Sequence, residues 1–171
     1  MSTRNSEELS WMIGGAQGSG VDSSAIIFAR ACASAGQSVF GTREYYSNIK
    51  GLHSYFEIRV TATPRRSKID SVDLLATFDA ETLFRHSDVV DPKGAIIYDP
   101  SLLATEIKNV KSIEDDVSEK IGARLEAQGF KANLSGIIEE ASRRGITLYP
   151  IPYSAIISKT AQEFNETQLS K

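Results

Sequence analysis

The sequence predicts an α/β fold, with three α/β/α layers around a mostly parallel, Rossmann-like sheet. Strand-like apolar runs alternate along the chain with segments that have helical spacing. The first of these units, residues 10–35, has the order strand, glycine-rich loop, helix that is typical of such folds. A length of 171 residues suits one domain with a sizeable core.

Each element follows from a local pattern. An apolar run at residues 10–13 ends in glycines, and residues 21–35 are mostly small and apolar before Gly36, a good helix stop. Alternation of Phe56, Ile58 and Val60 with polar residues predicts a half-buried strand. The complete prediction has strands at residues 10–13, 39–40, 55–63, 72–78, 95–98 and 146–149, and helices at residues 21–35, 80–86, 102–108, 117–128, 132–144 and 153–164.

The organisation along the chain is simple. Residues 1–9 are polar and are expected to form a flexible tail, residues 10–164 form the domain, and residues 165–171 start a linker. No internal repeat or low-complexity tract interrupts the sequence.

The composition excludes several classes of function. With 41% hydrophobic and 24% charged residues and a net charge of −3, the chain has no basic footprint for nucleic acid. It has no apolar run long enough to span a membrane, and its polar N-terminus does not resemble a secretory signal. Cys32 is the only cysteine, so the chain has no internal disulfide or cysteine cluster. These features predict a cytoplasmic globular domain.

The glycine loop at residues 14–20 is the first candidate site. Four glycines within seven residues allow a close backbone approach, and the following helix would direct its unpaired N–H groups at a phosphate. A P-loop is excluded because the Gly-Lys-Ser/Thr triplet is missing. The dinucleotide fingerprint is half met, since Ser23 replaces its last glycine while Glu44 lies near the position of the ribose acid. A loop that merely reverses the chain remains an alternative.

A second candidate lies at residues 41–54. Arg43 and Lys50 flank aromatic, hydroxyl and amide side chains, including Ser47 and Asn48. These groups offer charge-assisted donors for phosphate or carboxylate and rings for stacking. The segment is therefore expected to contact a ligand or partner.

Other polar residues have less specific patterns. Asp79 and Asp99 each follow a predicted strand and are expected to cap the next turn. His86 is expected at the surface or as a cap, while His53 is open to structural hydrogen bonding or catalysis. Since ligands of open α/β sheets bind beyond the carboxyl ends of strands, the glycine loop, residues 43–53, Asp79 and Asp99 are expected to share one edge.

Five ordered segments carry a family resemblance that spans about residues 10–164. The sequence resembles the gamma domain of the 2-oxoacid:ferredoxin oxidoreductases, the pyruvate and 2-oxoglutarate synthases, most closely the version fused ahead of an alpha domain. The segments are residues 14–20 (GGAQGSG), 43–54 (REYYSNIKGLHS), 72–81 (VDLLATFDAE), 95–99 (AIIYD) and 149–153 (YPIPY).

The resemblance implies a role within a larger enzyme. That enzyme converts a 2-oxoacid and coenzyme A to acyl-CoA and CO2 and reduces ferredoxin. Its thiamine diphosphate, Mg2+ and [4Fe-4S] cluster are expected in an alpha domain, fused or separate, and a beta subunit, and the isolated chain is expected to be inactive. This domain is expected to close over the active site and to bind coenzyme A, with no catalytic residue and no metal ligand of its own. The implied coenzyme A contacts are Gly15, Gln17, Gly18, Ser19, Gly20, Arg43, Ser47, Asn48 and Lys50.

Two other functions remain open. The half-met fingerprint with Glu44 is compatible with a free-standing NAD(P)-binding Rossmann-like protein, and a third possibility is a purely structural assembly domain.

Overall fold

The fold is described from a computed structural model that covers residues 8–45 and 52–163. Within these residues, six strands and five α-helices follow one another. The strands are β1 (Glu8–Ala16), β2 (Ser38–Tyr45), β3 (His53–Thr61), β4 (Val72–Thr77), β5 (Val90–Tyr98) and β6 (Thr147–Pro150). The helices are α1 (Val21–Ser34), α2 (Ala80–His86), α3 (Asp115–Ala127), α4 (Leu134–Arg143) and α5 (Tyr153–Glu163).

The strands form one mixed sheet in the order β2-β3-β1-β4-β5-β6. β4 pairs in parallel with β1 and β5, and β5 pairs in parallel with β6. β3 is antiparallel to both of its neighbours, β1 and β2. Five strands therefore run in one direction and β3 alone runs in the other, which confirms the predicted α/β fold with a mostly parallel sheet.

Successive side chains of a strand point to opposite faces of the sheet, so two cores form. On one face Met12, Leu75 and Ile96 pack with residues of α2, α3 and α4. On the other, Trp11 and Ile13 pack against α1. Full burial of a large aliphatic side chain such as Leu75 stabilises the fold by about 1.5–3 kcal/mol.

Helix α5 starts on the same side of the sheet as α1. Its first residue, Tyr153, meets Phe78 edge-on at 5.7 Å between ring centroids, and Phe78 packs against the α1-side core. The two faces of the sheet are thus both covered, and the arrangement has three layers as predicted. In the described part of the chain, no helix is both long and apolar enough to cross a membrane.

The helix predicted at residues 102–108 is wrong. The segment contains two short 3-10 turns, Pro100–Leu102 and Ile107–Asn109. Between them, the carbonyl oxygens of Leu103 and Thr105 accept hydrogen bonds of 3.0 Å from the N–H groups of Ser135 and Leu134. These carbonyls satisfy the free N-terminal donors of α4 and are not used in a helix of their own.

The strand predicted at residues 39–40 extends much further, over Ser38–Tyr45. It is longer because every residue of β2 has a partner in β3, from Ser38 opposite Thr61 to Tyr45 opposite Ser54. Cross-strand pairing thus extends a segment whose own hydrophobic pattern is weak.

Candidate functional site

The predicted convergence at one edge of the sheet is confirmed for the described residues, and residues 46–51 of the predicted segment lie outside them. The carboxyl ends of the five co-directional strands lie at the same edge, and the antiparallel β3 starts there, with His53 opposite Ala16. The glycine loop follows β1 at this edge, and the N–H of Gln17 donates to the carbonyl of Leu52 at 2.9 Å. The loop is therefore joined to the end of the β2–β3 connection.

The glycines of the loop serve two different purposes. A Cβ on Gly14 would come within 2.6 Å of Thr82 Cγ2, and one on Gly15 within 2.9 Å of Phe78 Cβ, so both are required for packing. Gly18 and Gly20 instead adopt left-handed φ values of 92° and 98°, and a Cβ on either would have no atom of the described residues within 4 Å. The second half of the loop is thus open on the side where a ligand would approach.

The N-terminus of α1 follows the open half of the loop. Its N-cap is Gly20, which has no side chain to cap the helix. The first helical hydrogen bond joins the N–H of Ser24 to the Gly20 carbonyl at 3.0 Å. The N–H groups before Ser24 have no intrahelical partner and carry the positive end of the helix dipole. This end of α1 is therefore suited to an anion.

Arg43 extends from β2 toward this helix end. Its guanidinium group lies 2.8 Å from a carboxylate oxygen of Asp22, in the first turn of α1, and 5.6 Å from the ring centroid of Phe56. The structure therefore places Arg43 at the first turn of α1, the helix that follows Gly15, Gln17, Gly18, Ser19 and Gly20. The other predicted contacts, Ser47, Asn48 and Lys50, lie outside the described residues.

Ser54 is a polar residue of this site that sequence reasoning missed. It lies opposite Gly15 in β1, and since Phe56 packs in the α1-side core, Ser54 faces the same side. The residue is 1% exposed, and its Oγ has no hydrogen-bond partner among the described residues. Its sequence signal was only a small polar residue at the start of a strand.

The two aspartates at the edge are caps, as predicted. Asp79 Oδ1 accepts hydrogen bonds from the N–H of Thr82 at 2.8 Å and from its hydroxyl at 2.7 Å, at the N-terminus of α2. Asp99 accepts from the N–H of Ser101 at 2.9 Å and, weakly, from that of Ser154 at 3.5 Å. Although burial opposes it, the backbone donors lower the pKa of Asp99.

The surface position predicted for His86 is wrong. Both His86 and His53 are buried, and their Nε2 atoms are 2.9 Å apart, while the ring of Tyr55 packs against His86 at 4.5 Å. One imidazole must donate and the other accept, so the accepting ring is neutral. Burial lowers the pKa of His53 and, with His53 and Arg85 nearby, that of His86 to about 3. This geometry fits structural hydrogen bonding.

Glu44 lies on the wrong face for a ribose-binding acid. It is opposite Tyr55, which packs on the core with α2, α3 and α4, whereas the open glycine loop adjoins α1. In addition, β3 separates β2 from β1, so Glu44 is not on the strand next to the glycine loop. The dinucleotide fingerprint is therefore not completed in space. No group of three or more potential metal ligands occurs among the described residues.

Comparisons with known proteins agree on one family. The sequence profile of the pyruvate ferredoxin/flavodoxin oxidoreductase family matches residues 10–168. The chain is 45% identical over 155 residues to subunit alpha of 2-oxoacid:ferredoxin oxidoreductase 1 from Sulfurisphaera tokodaii. It is 41% identical over 156 residues to the alpha subunit of the enzyme from Saccharolobus solfataricus. Each alignment covers 91% of this chain but 24% of the relative, so the chain spans about a quarter of these proteins.

A solved structure shares the fold. The 2-oxoglutarate:ferredoxin oxidoreductase from Magnetococcus marinus superimposes with a TM-score of 0.53 at 17% identity. The match covers 86% of this chain and 34% of that one. The described fold therefore occurs as part of a larger polypeptide.

Proposed function

Because the chain belongs to the pyruvate ferredoxin/flavodoxin oxidoreductase family, we propose that it is the gamma-type domain of a 2-oxoacid:ferredoxin oxidoreductase and that it binds coenzyme A. The whole enzyme would oxidatively decarboxylate a 2-oxoacid with coenzyme A, release acyl-CoA and CO2, and reduce ferredoxin. This domain would hold the coenzyme and close the active site.

The observation that carries the coenzyme A assignment is the position of Arg43 beside the N-terminus of α1 and the open half of the glycine loop. A cation and free backbone N–H groups at one place suit the phosphates of coenzyme A. The Magnetococcus marinus enzyme was solved with 2-oxoglutarate, coenzyme A and succinyl-CoA bound, which makes coenzyme A a chemically reasonable anion for this site.

The division of labour within the proposed enzyme follows from the family. Thiamine diphosphate, Mg2+ and the [4Fe-4S] cluster would be bound by the alpha part and the beta subunit, and ferredoxin would accept the electrons. In this domain, the N–H groups of Gly18 and Gly20 would contact phosphate, while the N–H of Ser19 donates to the Ala16 carbonyl at 3.0 Å and holds the turn between them. Arg43 would neutralise the phosphate charge, and Ser47, Asn48 and Lys50 would complete the contacts from the β2–β3 connection.

Alanine substitution of the two proposed cations tests the assignment in the complete enzyme that contains this chain. Loss of one charge-assisted phosphate contact costs about 1.5–3 kcal/mol, so Arg43→Ala and Lys50→Ala should each raise the KM for coenzyme A about 10- to 100-fold. The KM for the 2-oxoacid should stay constant, because its binding is assigned to other domains.

Two exposed cations outside the site provide controls. Arg30 lies on α1, about two turns beyond Asp22, and Lys159 lies on α5. Neither Arg30→Ala nor Lys159→Ala should change the KM for coenzyme A. An unchanged KM in the Arg43 and Lys50 variants would instead favour a purely structural assembly domain.

A further inference from the structure

Arg43, the proposed phosphate-binding cation, already has an anionic partner within the chain. Its guanidinium Nη2 lies 2.8 Å from Asp22 Oδ2, and the two side chains are 39% and 49% exposed. Asp22 is the acidic residue of the first turn of α1. A carboxylate therefore lies at the end of a helix where an anionic ligand would also be favoured.

The buried hydroxyl of Ser54 is a second, independent sign that this place receives a ligand. Ser54 faces the α1 side next to Gly15, and its Oγ has no hydrogen-bond partner in the part of the chain that the structure describes. A buried polar atom of this kind calls for an explanation, and a ligand bound at the glycine loop, whose later residues Gly18 and Gly20 are open, would supply one.

The strengths of the two interactions favour an exchange of partners. A solvent-exposed ion pair such as Asp22–Arg43 contributes little, because water and salt screen it. A phosphate group can accept a bidentate pair from Arg43 just as a carboxylate can, and a phosphate monoester carries a higher charge, which strengthens the attraction. Asp22 is thus an anion that can hold Arg43 in place but that a phosphate can displace.

We propose that Asp22 occupies the anion position of this site in the free protein and that Arg43 exchanges Asp22 for a phosphate group of coenzyme A on binding. This inference rests on the proposed coenzyme A site and adds a residue that tunes its affinity. Asp22 weakens binding of every anion by the same competition. The ratio of affinities between two anions is unchanged, so weakly charged ligands, which start from a lower affinity, lose useful binding before multiply charged ones do.

The dissociation constant of coenzyme A, measured calorimetrically on the complete enzyme, tests the exchange. Asp22→Asn should lower the Kd about two- to fivefold, as expected for removing an exposed ion pair that competes with the ligand. Asp22→Glu retains the charge and should bind like the unsubstituted enzyme. Pantetheine lacks the phosphates, so its Kd should be the same in all three proteins.

Glu139→Gln is a matched control for charge. Glu139 and Arg143 form a 2.7 Å pair on α4 with side chains that are 56% and 61% exposed, on the opposite face of the sheet. The substitution changes the net charge as Asp22→Asn does and should leave the Kd of coenzyme A unchanged.

The double variant Asp22→Asn/Arg43→Ala separates an exchange of partners at Arg43 from simple repulsion between Asp22 and the ligand. If Asp22 acts through Arg43, the gain from Asp22→Asn should shrink when Arg43 is Ala. An equal gain in both backgrounds, or no gain from Asp22→Asn while Arg43→Ala weakens binding, would overturn the exchange but leave the coenzyme A site intact. Unchanged coenzyme A binding in Arg43→Ala and Lys50→Ala would reject the proposed function as well.

Discussion

At the scale of single residues, Glu57 is a charged group poorly matched to its surroundings. It lies in the middle of β3 between two paired strands and is 5% exposed. Its Oε1 has no hydrogen-bond partner among the described residues, and Lys68 approaches Oε2 only to 3.9 Å. Burial is the main cause that raises the pKa of the Glu57 carboxyl, with Lys68 opposing it. The folded protein therefore holds the Glu57 proton more tightly than the unfolded chain does.

This shift makes the stability contribution of Glu57 largest at low pH. It is fully present below the unfolded pKa of 4.5 and is lost as pH rises through the higher folded value. Glu57→Gln keeps the shape but removes the charge, so it should raise the free energy of unfolding at pH 7–8 by about 1 kcal/mol. Urea denaturation from pH 4 to 8 should show a gain that shrinks toward acid. A gain independent of pH would contradict the assignment to ionisation.

At the scale of elements, the contact between β1 and α2 shows why the first glycines of the loop are needed. Gly14 lies on β1 directly below Thr82, which is fully buried on α2. Thr82 cannot move aside easily, because its hydroxyl donates to Asp79 and its own branched side chain is stiff. The separation of sheet and helix is therefore set by the absence of a side chain at position 14.

Gly14→Ala should consequently destabilise the fold by about 1–3 kcal/mol, the usual cost of overpacking a core. Gly41→Ala on β2 is the matched control, because its nearest atoms would be 3.9 Å from the new Cβ and its backbone is not left-handed. That change should stay within about 0.5 kcal/mol. Thermal unfolding of both variants measures the difference. Equal melting temperatures would show that α2 can move away from position 14 without loss of stability.

At the scale of the whole molecule, the position of β3 decides which ligands the glycine loop can serve. In a dinucleotide-binding fold the acid that binds ribose follows the strand beside the first one. Here β3 occupies that place, and Glu44 on β2 faces the opposite side of the sheet from the open loop. The loop can serve an anion, but the second half of a dinucleotide site is missing.

NADH and NADPH should therefore show no measurable binding in a calorimetric titration of the 171-residue chain. Coenzyme A titrated into the complete enzyme is the positive control. Micromolar affinity for either nicotinamide cofactor would support the free-standing NAD(P)-binding alternative and would require a site that does not depend on Glu44.

The amino-acid sequence by itself determined the fold class, most element positions and the glycine loop as an anion-binding candidate. These features are local, since hydrophobic periodicity, glycine spacing and capping residues such as Asp79 act within a few residues. The same locality explains why five short segments in order were enough to indicate the family. The profile of that family matches residues 10–168.

Only the tertiary structure decided which side chains meet. The reversal of β3, the burial of His86 against His53, and the loss of the predicted helix at residues 102–108 all result from partners distant in sequence. The Asp22–Arg43 pair has the same origin, since its residues lie 21 positions apart and meet because β2 returns beside the start of α1. Contacts between distant residues depend on chain path, which no local pattern encodes.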